Sequence, residues 1–154
     1  MSSGQVTSVI MSTKTDDIQG SCNCGSITVT LKEGFVEGKH AGVACHCLNC
    51  QKTTGSLFAY LLPVSRSDFT ISDPSCVLRT YAQHGTDSGK PMYRQFCGNC
   101  GSSILSLPDS EPDGAYLKLS LFGNDLPPAV ELYTDFAKPW EKSLAEHRFP
   151  RAST

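Results

Sequence analysis

Met92-Tyr-Arg-Gln-Phe-Cys-Gly-Asn-Cys-Gly-Ser-Ser-Ile-Leu-Ser-Leu107 places two segments of roughly alternating apolar and polar residues on either side of a Cys-x-x-Cys turn. A period of two sends every second side chain to one face, the pattern of a half-buried strand. Gly98 and Gly101 supply the backbone freedom that the turn requires. A redox Cys-x-x-Cys belongs beside a βαβ pattern, whereas a strand-like segment follows this one. The stretch therefore reads as strand, cysteine turn, strand.

The same period recurs outward in both directions. Ser26-Ile-Thr-Val-Thr-Leu31 alternates with β-branched residues, and Gly34, Gly38 and Gly42 punctuate a loop before a short strand entering Cys45. Leu57 to Leu62 reads as a buried strand that Pro63 stops. Phe69-Thr-Ile71 and Val77-Leu-Arg-Thr-Tyr81 flank the turn signal Ser72-Asp-Pro74. His84 to Pro91 is a polar loop, and Pro108 to Gly114 joins Ser103–Leu107 to Tyr116-Leu-Lys-Leu-Ser-Leu-Phe122 as a hairpin. Trp140 to Arg148 allows a turn or two of helix at most. About eight short strands with frequent Gly/Pro turns predict a mainly β domain, as a sandwich, a barrel or a tent of sheets. There is no linker, low-complexity segment or solenoid-type repeat. Residues 1–19 read as a flexible N-terminal tail, with one short strand near Val9, and residues 20–150 as a single β domain.

A chain of 154 residues suits one domain with a real core. Its 13 Lys+Arg against 15 Asp+Glu give a formal charge of -2, and no two Lys/Arg residues are adjacent, so no nucleic-acid groove is expected. The longest mostly apolar stretch, Leu57 to Val64, falls far short of the roughly 20 residues that cross a bilayer. Met1 to Gly20 lacks the basic and apolar regions of a secretory signal, so a cytoplasmic, reducing setting is expected. There, dense cysteine is more often metal-binding or catalytic than disulfide-bonded.

Seven of the eight cysteines fall into Cys22-Asn-Cys24, Cys45-His-Cys47-Leu-Asn-Cys50 and Cys97-Gly-Asn-Cys100. In extended chain, residues two apart share a face, so each Cys-x-Cys presents two sulfurs to one point. Zinc takes four thiolates when structural, and three protein ligands plus an open position when catalytic. Seven ligands divide as four plus three: Cys22, Cys24, Cys97 and Cys100 closing one site between chain-distant strands, Cys45, Cys47 and Cys50 leaving the other open. A disulfide framework is the alternative, opposed by the strain of a Cys-x-Cys bridge. Cys76 stands alone and reads as a buried packing cysteine. In extended chain His46 points away from its flanking cysteines, so it reads as a supporting group behind the metal or a packing residue rather than a direct ligand. His40, His84 and His147 read as solvated loop histidines, and Lys52 and Arg94 as surface charges unless they neutralise a thiolate-rich site.

Gly20-Ser-Cys-Asn-Cys-Gly25, Cys45-His-Cys-Leu-Asn-Cys-Gln-Lys-Thr-Thr-Gly-Ser56 and Phe96-Cys-Gly-Asn-Cys-Gly101 together resemble the three signature blocks of the glutathione-dependent formaldehyde-activating enzyme family. That family is also called centromere-protein-V-like and has the Mss4-like fold. The resemblance runs from Gly20 to about Trp140. It implies a β-tent of short antiparallel sheets stapled by zinc, with Cys22, Cys24, Cys97 and Cys100 structural and Cys45, Cys47 and Cys50 at the site of catalysis. Pro128 to Trp140 resembles the family's C-terminal block, with Glu131 where many members carry His and Lys138 where they carry Arg.

The activity implied is that of a carbon–sulfur lyase acting on glutathione or a related small thiol conjugate. Three anionic thiolates blunt Lewis acidity, which favours thiol capture over water activation. Thr53, Thr54 and Ser56 either bind a substrate carboxylate or amide or satisfy the local backbone. Lys52, His46 and Glu131 are the candidate bases. Two rivals stand beside this reading: a non-catalytic zinc-stabilised binding module, and a biosynthetic enzyme that reuses the open zinc. An open, solvent-reachable zinc with a concave polar pocket favours an enzyme; a fourth endogenous ligand or a flat exposed apolar patch favours the module.

Overall fold

Eleven short strands, one helix and three 3-10 turns make up the computed structural model, which describes residues 16–34, 40–123 and 126–152. The strand predicted near Val9 and residues 1–15 of the predicted tail lie outside the described residues. Strand β1 (Ile18–Ser21) takes in the last two positions of the predicted tail.

Alternation builds the smaller sheet. β1, β2 (Thr28–Leu31) and β5 (Phe69–Ser72) pair antiparallel in the order β1-β2-β5. Val29 and Leu31 on β2 are fully buried, whereas Thr28 and Thr30 between them are only half-buried. The larger sheet has the order β11-β10-β3-β4-β9-β8-β7-β6. Its antiparallel body runs from β3 (Gly42–Cys45) and β4 (Ala59–Ser65) through β9 (Gly114–Lys118), β8 (Ser103–Pro108) and β7 (Met92–Cys97) to β6 (Leu78–Gln83). β10 (Pro128–Leu132) adds to β3 in parallel, and β11 (His147–Phe149) adds in parallel to β10.

The core lies between the two sheets. Ile27, Val29 and Leu31 from one side meet Leu62, Ile104, Leu105, Leu117 and Leu119 from the other. Each such side chain contributes about 1.5–3 kcal/mol relative to exposure. The far face of the large sheet is covered too, by a second cluster of Val43, Cys45, Cys50, Ala59 and Leu61. That two-sided cover explains why all four residues of β3 are buried and why alternation fails there.

Several sequence readings need correction. Pro63 does not stop its strand: β4 continues to Ser65 with Pro63 opposite Tyr116. Pairing with β3 has ended at Leu61, so the missing N–H faces an open edge. Trp140 to Glu146 forms no helix, and His147–Phe149 is a strand. Leu119–Leu121 leaves the β9 pattern as a 3-10 turn. The segment after Cys47 is helix α1 (Leu48–Thr54), closed by Gly55 at φ +62°. Among the described residues, no helix is long and apolar enough to cross a membrane.

Candidate functional site

The chain folds seven cysteine sulfurs into two groups, each with all sulfurs within 4.8 Å of one another. Cys22 and Cys24 follow β1 in a turn closed by Gly25 N–H donating to the Cys22 carbonyl at 2.9 Å. Cys97 ends β7, and Cys100 sits in the turn closed by Gly101 N–H donating to the Cys97 carbonyl at 2.8 Å. Cys22 and Cys24 sulfurs are 3.5 Å apart, and Cys24 and Cys97 sulfurs 3.7 Å apart. Those spacings match the edge of a tetrahedron, about 3.8 Å, that four sulfurs 2.3 Å from one zinc describe. The Ile27 N–H donates to Cys22 Sγ at 3.3 Å, and the Ser102 hydroxyl, then its backbone N–H, holds the Cys100 thiol down to about 5. This group joins the small sheet to the large one.

The second group gathers on a strand end and the helix that follows. Cys45 ends β3, Cys47 caps α1 with its Sγ accepting the Cys50 N–H at 3.3 Å, and Cys50 lies in the first turn. No Asp, Glu or His joins these three sulfurs among the described residues. Beneath them runs a buried polar row. Arg94 donates from Nε to Gln83 at 2.8 Å and from Nη1 to Ser106 at 3.0 Å, with Nη1 3.8 Å from Cys50 Sγ. Lys118 Nζ donates to the same Ser106 hydroxyl at 3.4 Å. Hydrogen bonds from the Cys45 and Cys47 thiols pull the Cys50 thiol down to about 2, and Arg94 and Lys118 add to that pull. Burial pushes the Lys118 ammonium down to about 8.

Behind the Cys45–Cys47 segment, His46 is buried between two carboxylates. Its Nε2 lies 3.2 Å from Glu131 Oε1 and its Nδ1 3.5 Å from Glu141 Oε1. Glu131 also accepts from the Ser143 hydroxyl at 2.9 Å and from Arg148 Nε at 2.8 Å. Glu141 accepts the Lys138 N–H. The turn before β11 is thus anchored to the cysteine segment through His46.

A cavity of 630 Å³ opens over Cys45, Cys47 and Cys50. β3, β4 and β10 line it with Val43, Leu61, Val130 and Leu132, while Tyr116 and Tyr133 present phenol rings. Tyr133 holds φ +58°, a left-handed conformation unusual for an aromatic residue. Burial and then a hydrogen bond to the Asp87 carboxylate push its phenol well up. A smaller cavity of 310 Å³, rich in hydroxyls, lies beside Asn23 and Ser102 of one cysteine group and Thr53 and Thr54 of the helix carrying the other.

The remaining candidates sort by what surrounds them. Thr53, Thr54 and Ser56 hydroxyls donate to the Asn49, Cys50 and Phe58 carbonyls at 2.7, 2.9 and 2.6 Å, so they satisfy the backbone. None of the candidate bases Lys52, His46 and Glu131 lines the cavity over the three cysteines. Arg94, read as a surface charge, is 7% exposed beside Cys50. His40, read as solvated, is buried, and Cys76, read as buried, is exposed at φ +52°. Tyr116 and Tyr133 escaped sequence reading; no local signal separates them from other aromatic residues.

Comparison with known proteins agrees with this geometry. No curated protein matches the chain. The crystal structure of a Rhodobacter sphaeroides protein shares the fold with a TM-score of 0.54 at 21% identity, over 70% of this chain and 89% of that one. The model of the glutathione-dependent formaldehyde-activating enzyme family matches residues 17–136, more than half of the chain and a span that includes all seven clustered cysteines. The chain belongs to the glutathione-dependent formaldehyde-activating enzyme family.

Proposed function

We propose that this protein is a zinc enzyme that makes or breaks the carbon–sulfur bond between a small thiol, glutathione or a related molecule, and an aldehyde. The observation that carries the reading is a cluster of three cysteine sulfurs, with no fourth protein ligand among the described residues, on the floor of a 630 Å³ cavity. Cys45, Cys47 and Cys50 would hold one zinc there, and Cys22, Cys24, Cys97 and Cys100 a structural one. A zinc held there with its fourth position open would supply Lewis acidity to a substrate thiol and ease loss of its proton. Addition then forms the sulfur–carbon bond while the carbonyl oxygen takes the proton that left the thiol; cleavage is the reverse. Arg94 and Lys118 offset the negative charge of the thiolates, and His46 and Glu131 fix the segment that carries two of them. On this reading residues 20–150 act as one zinc-binding domain of the cytoplasm. The open position and the cavity favour an enzyme over a binding module.

The test is titration of small thiols, glutathione and benzyl mercaptan, with and without formaldehyde, into protein carrying cobalt(II) in place of zinc. A thiol-dependent change in the sulfur-to-cobalt absorption at one of two metals is expected, together with capture of formaldehyde. A spectrum indifferent to millimolar thiol would overturn the proposal.

A further inference from the structure

The walls of the cavity over Cys45, Cys47 and Cys50 carry little that would recognise a charged peptide. Val43, Leu61, Pro63, Met92, Val130 and Leu132 face it. Among the described residues Arg94 is the one cation that lines it. Arg94 is committed to the floor, where its guanidinium donates to Gln83 and Ser106 and lies beside Cys50. The charges that line the cavity away from the floor have the opposite sign. Asp87 lies beside the Tyr133 phenol in the lining, and Glu111 Oε1 lies 3.5 Å from the Tyr116 hydroxyl. Both carboxylates are exposed, and neither is ion-paired among the described residues. Glutathione brings two carboxylates and one ammonium to such a site. Its thiol would reach the cysteines only with its carboxylates among apolar walls or near Asp87 and Glu111, where burial and like charge both oppose them.

We infer that the thiol held at Cys45, Cys47 and Cys50 has a neutral, apolar body, and that thiols bearing carboxylates, glutathione included, are the poorer ligands; this rests on the thiol-adduct function proposed above. Tyr116 and Tyr133 add aromatic surface beside the cysteines, and Tyr133 keeps a left-handed backbone while presenting it. Such a cavity suits an aromatic or branched aliphatic thiol, or its adduct with an aldehyde.

The test compares benzyl mercaptan, 4-(mercaptomethyl)benzoic acid and glutathione on the cobalt-loaded full-length protein, with sulfur-to-cobalt absorption as readout. The first two share thiol and ring and differ by one carboxylate. Benzyl mercaptan is expected to half-saturate at a concentration about tenfold below its carboxylated partner, and below glutathione as well. In the double variant Asp87→Asn, Glu111→Gln that gap should narrow to about threefold. Glutathione or the carboxylated thiol binding as tightly as benzyl mercaptan would overturn the inference and leave the thiol-adduct function standing. A gap unchanged in the double variant would overturn the charge argument that carries it. Silence from all three thiols would overturn both the inference and the function beneath it.

Discussion

Cys47 serves two structures at once, as the N-cap of α1 and as the middle sulfur of the three-cysteine group. Serine is a favoured N-cap and a poor zinc ligand, so Cys47→Ser separates the two roles. We expect this variant to melt within a few degrees of the parent and to hold about one zinc less by elemental analysis, with the thiol response lost. Collapse of the fold would instead mark the trio as a second structural clamp. Both cysteine groups were legible because ligand type and spacing are local properties of the chain. Arg94 was not legible. Its partners Gln83, Ser106 and Cys50 come from β6, β8 and α1, and nothing within a few residues of Arg94 announces them. The same reasoning covers His40 and Cys76, whose burial depends on which distant segment covers them.

Among the elements, β1 lies directly against the 3-10 turn that follows β9. A Cβ on Gly20 would sit 2.7 Å from the Leu121 carbonyl oxygen and 2.8 Å from its carbon, both backbone atoms with little room to yield. Gly20→Ala should therefore cost about 1–3 kcal/mol, visible as a lower denaturant midpoint at unchanged slope. An unchanged midpoint would mean that the small sheet is not seated so closely. At the other end of the chain, Glu131 links β10 to β11 and to His46. Burial opposes its charge, but the Ser143 hydroxyl, the Leu144 N–H, His46 and Arg148 outweigh it and hold the carboxyl below its usual 4.5. A depressed carboxylate stabilises the fold above its unfolded value and loses that contribution as pH falls through the folded one. The amides of β11 should thus lose hydrogen-exchange protection as pH falls below about 4.5. Glu131→Gln should be less protected at neutral pH and respond less to acid. Equal acid response in parent and variant would remove Glu131 from this role. Alternation announced β2, β7, β8 and β9, whereas β1, β10 and β11 were not read as strands and the parallel pairing of β10 with β3 was not legible. That pairing joins segments more than eighty residues apart.

At the scale of the molecule, the four-cysteine group ties the smaller sheet to the larger across 73 positions of sequence between Cys24 and Cys97. A structural zinc held there would add folding free energy, about 10–16 kcal/mol apparent in small zinc-finger peptides, and the inter-sheet core would share the task. Cys97 is fully buried in that core. Cys97→Ser should aggregate or melt far below the parent, and far below Cys47→Ser, in scans at matched metal content. Melting at the parent's temperature would end the structural assignment.

Sequence alone determined that the chain is mainly β, that seven cysteines group in sets of four and three, and which family they mark. Those features are written within windows of a few residues, where backbone geometry fixes side-chain period and ligand spacing. Tertiary structure decided the rest. It sent β5 and β6, neighbours across one turn, to different sheets, set Arg94 and Lys118 beneath the cysteines, and shaped an apolar cavity above them with carboxylates on its wall. Such outcomes come from contacts between distant segments, whose strength depends on what each surface meets once the sheets have packed.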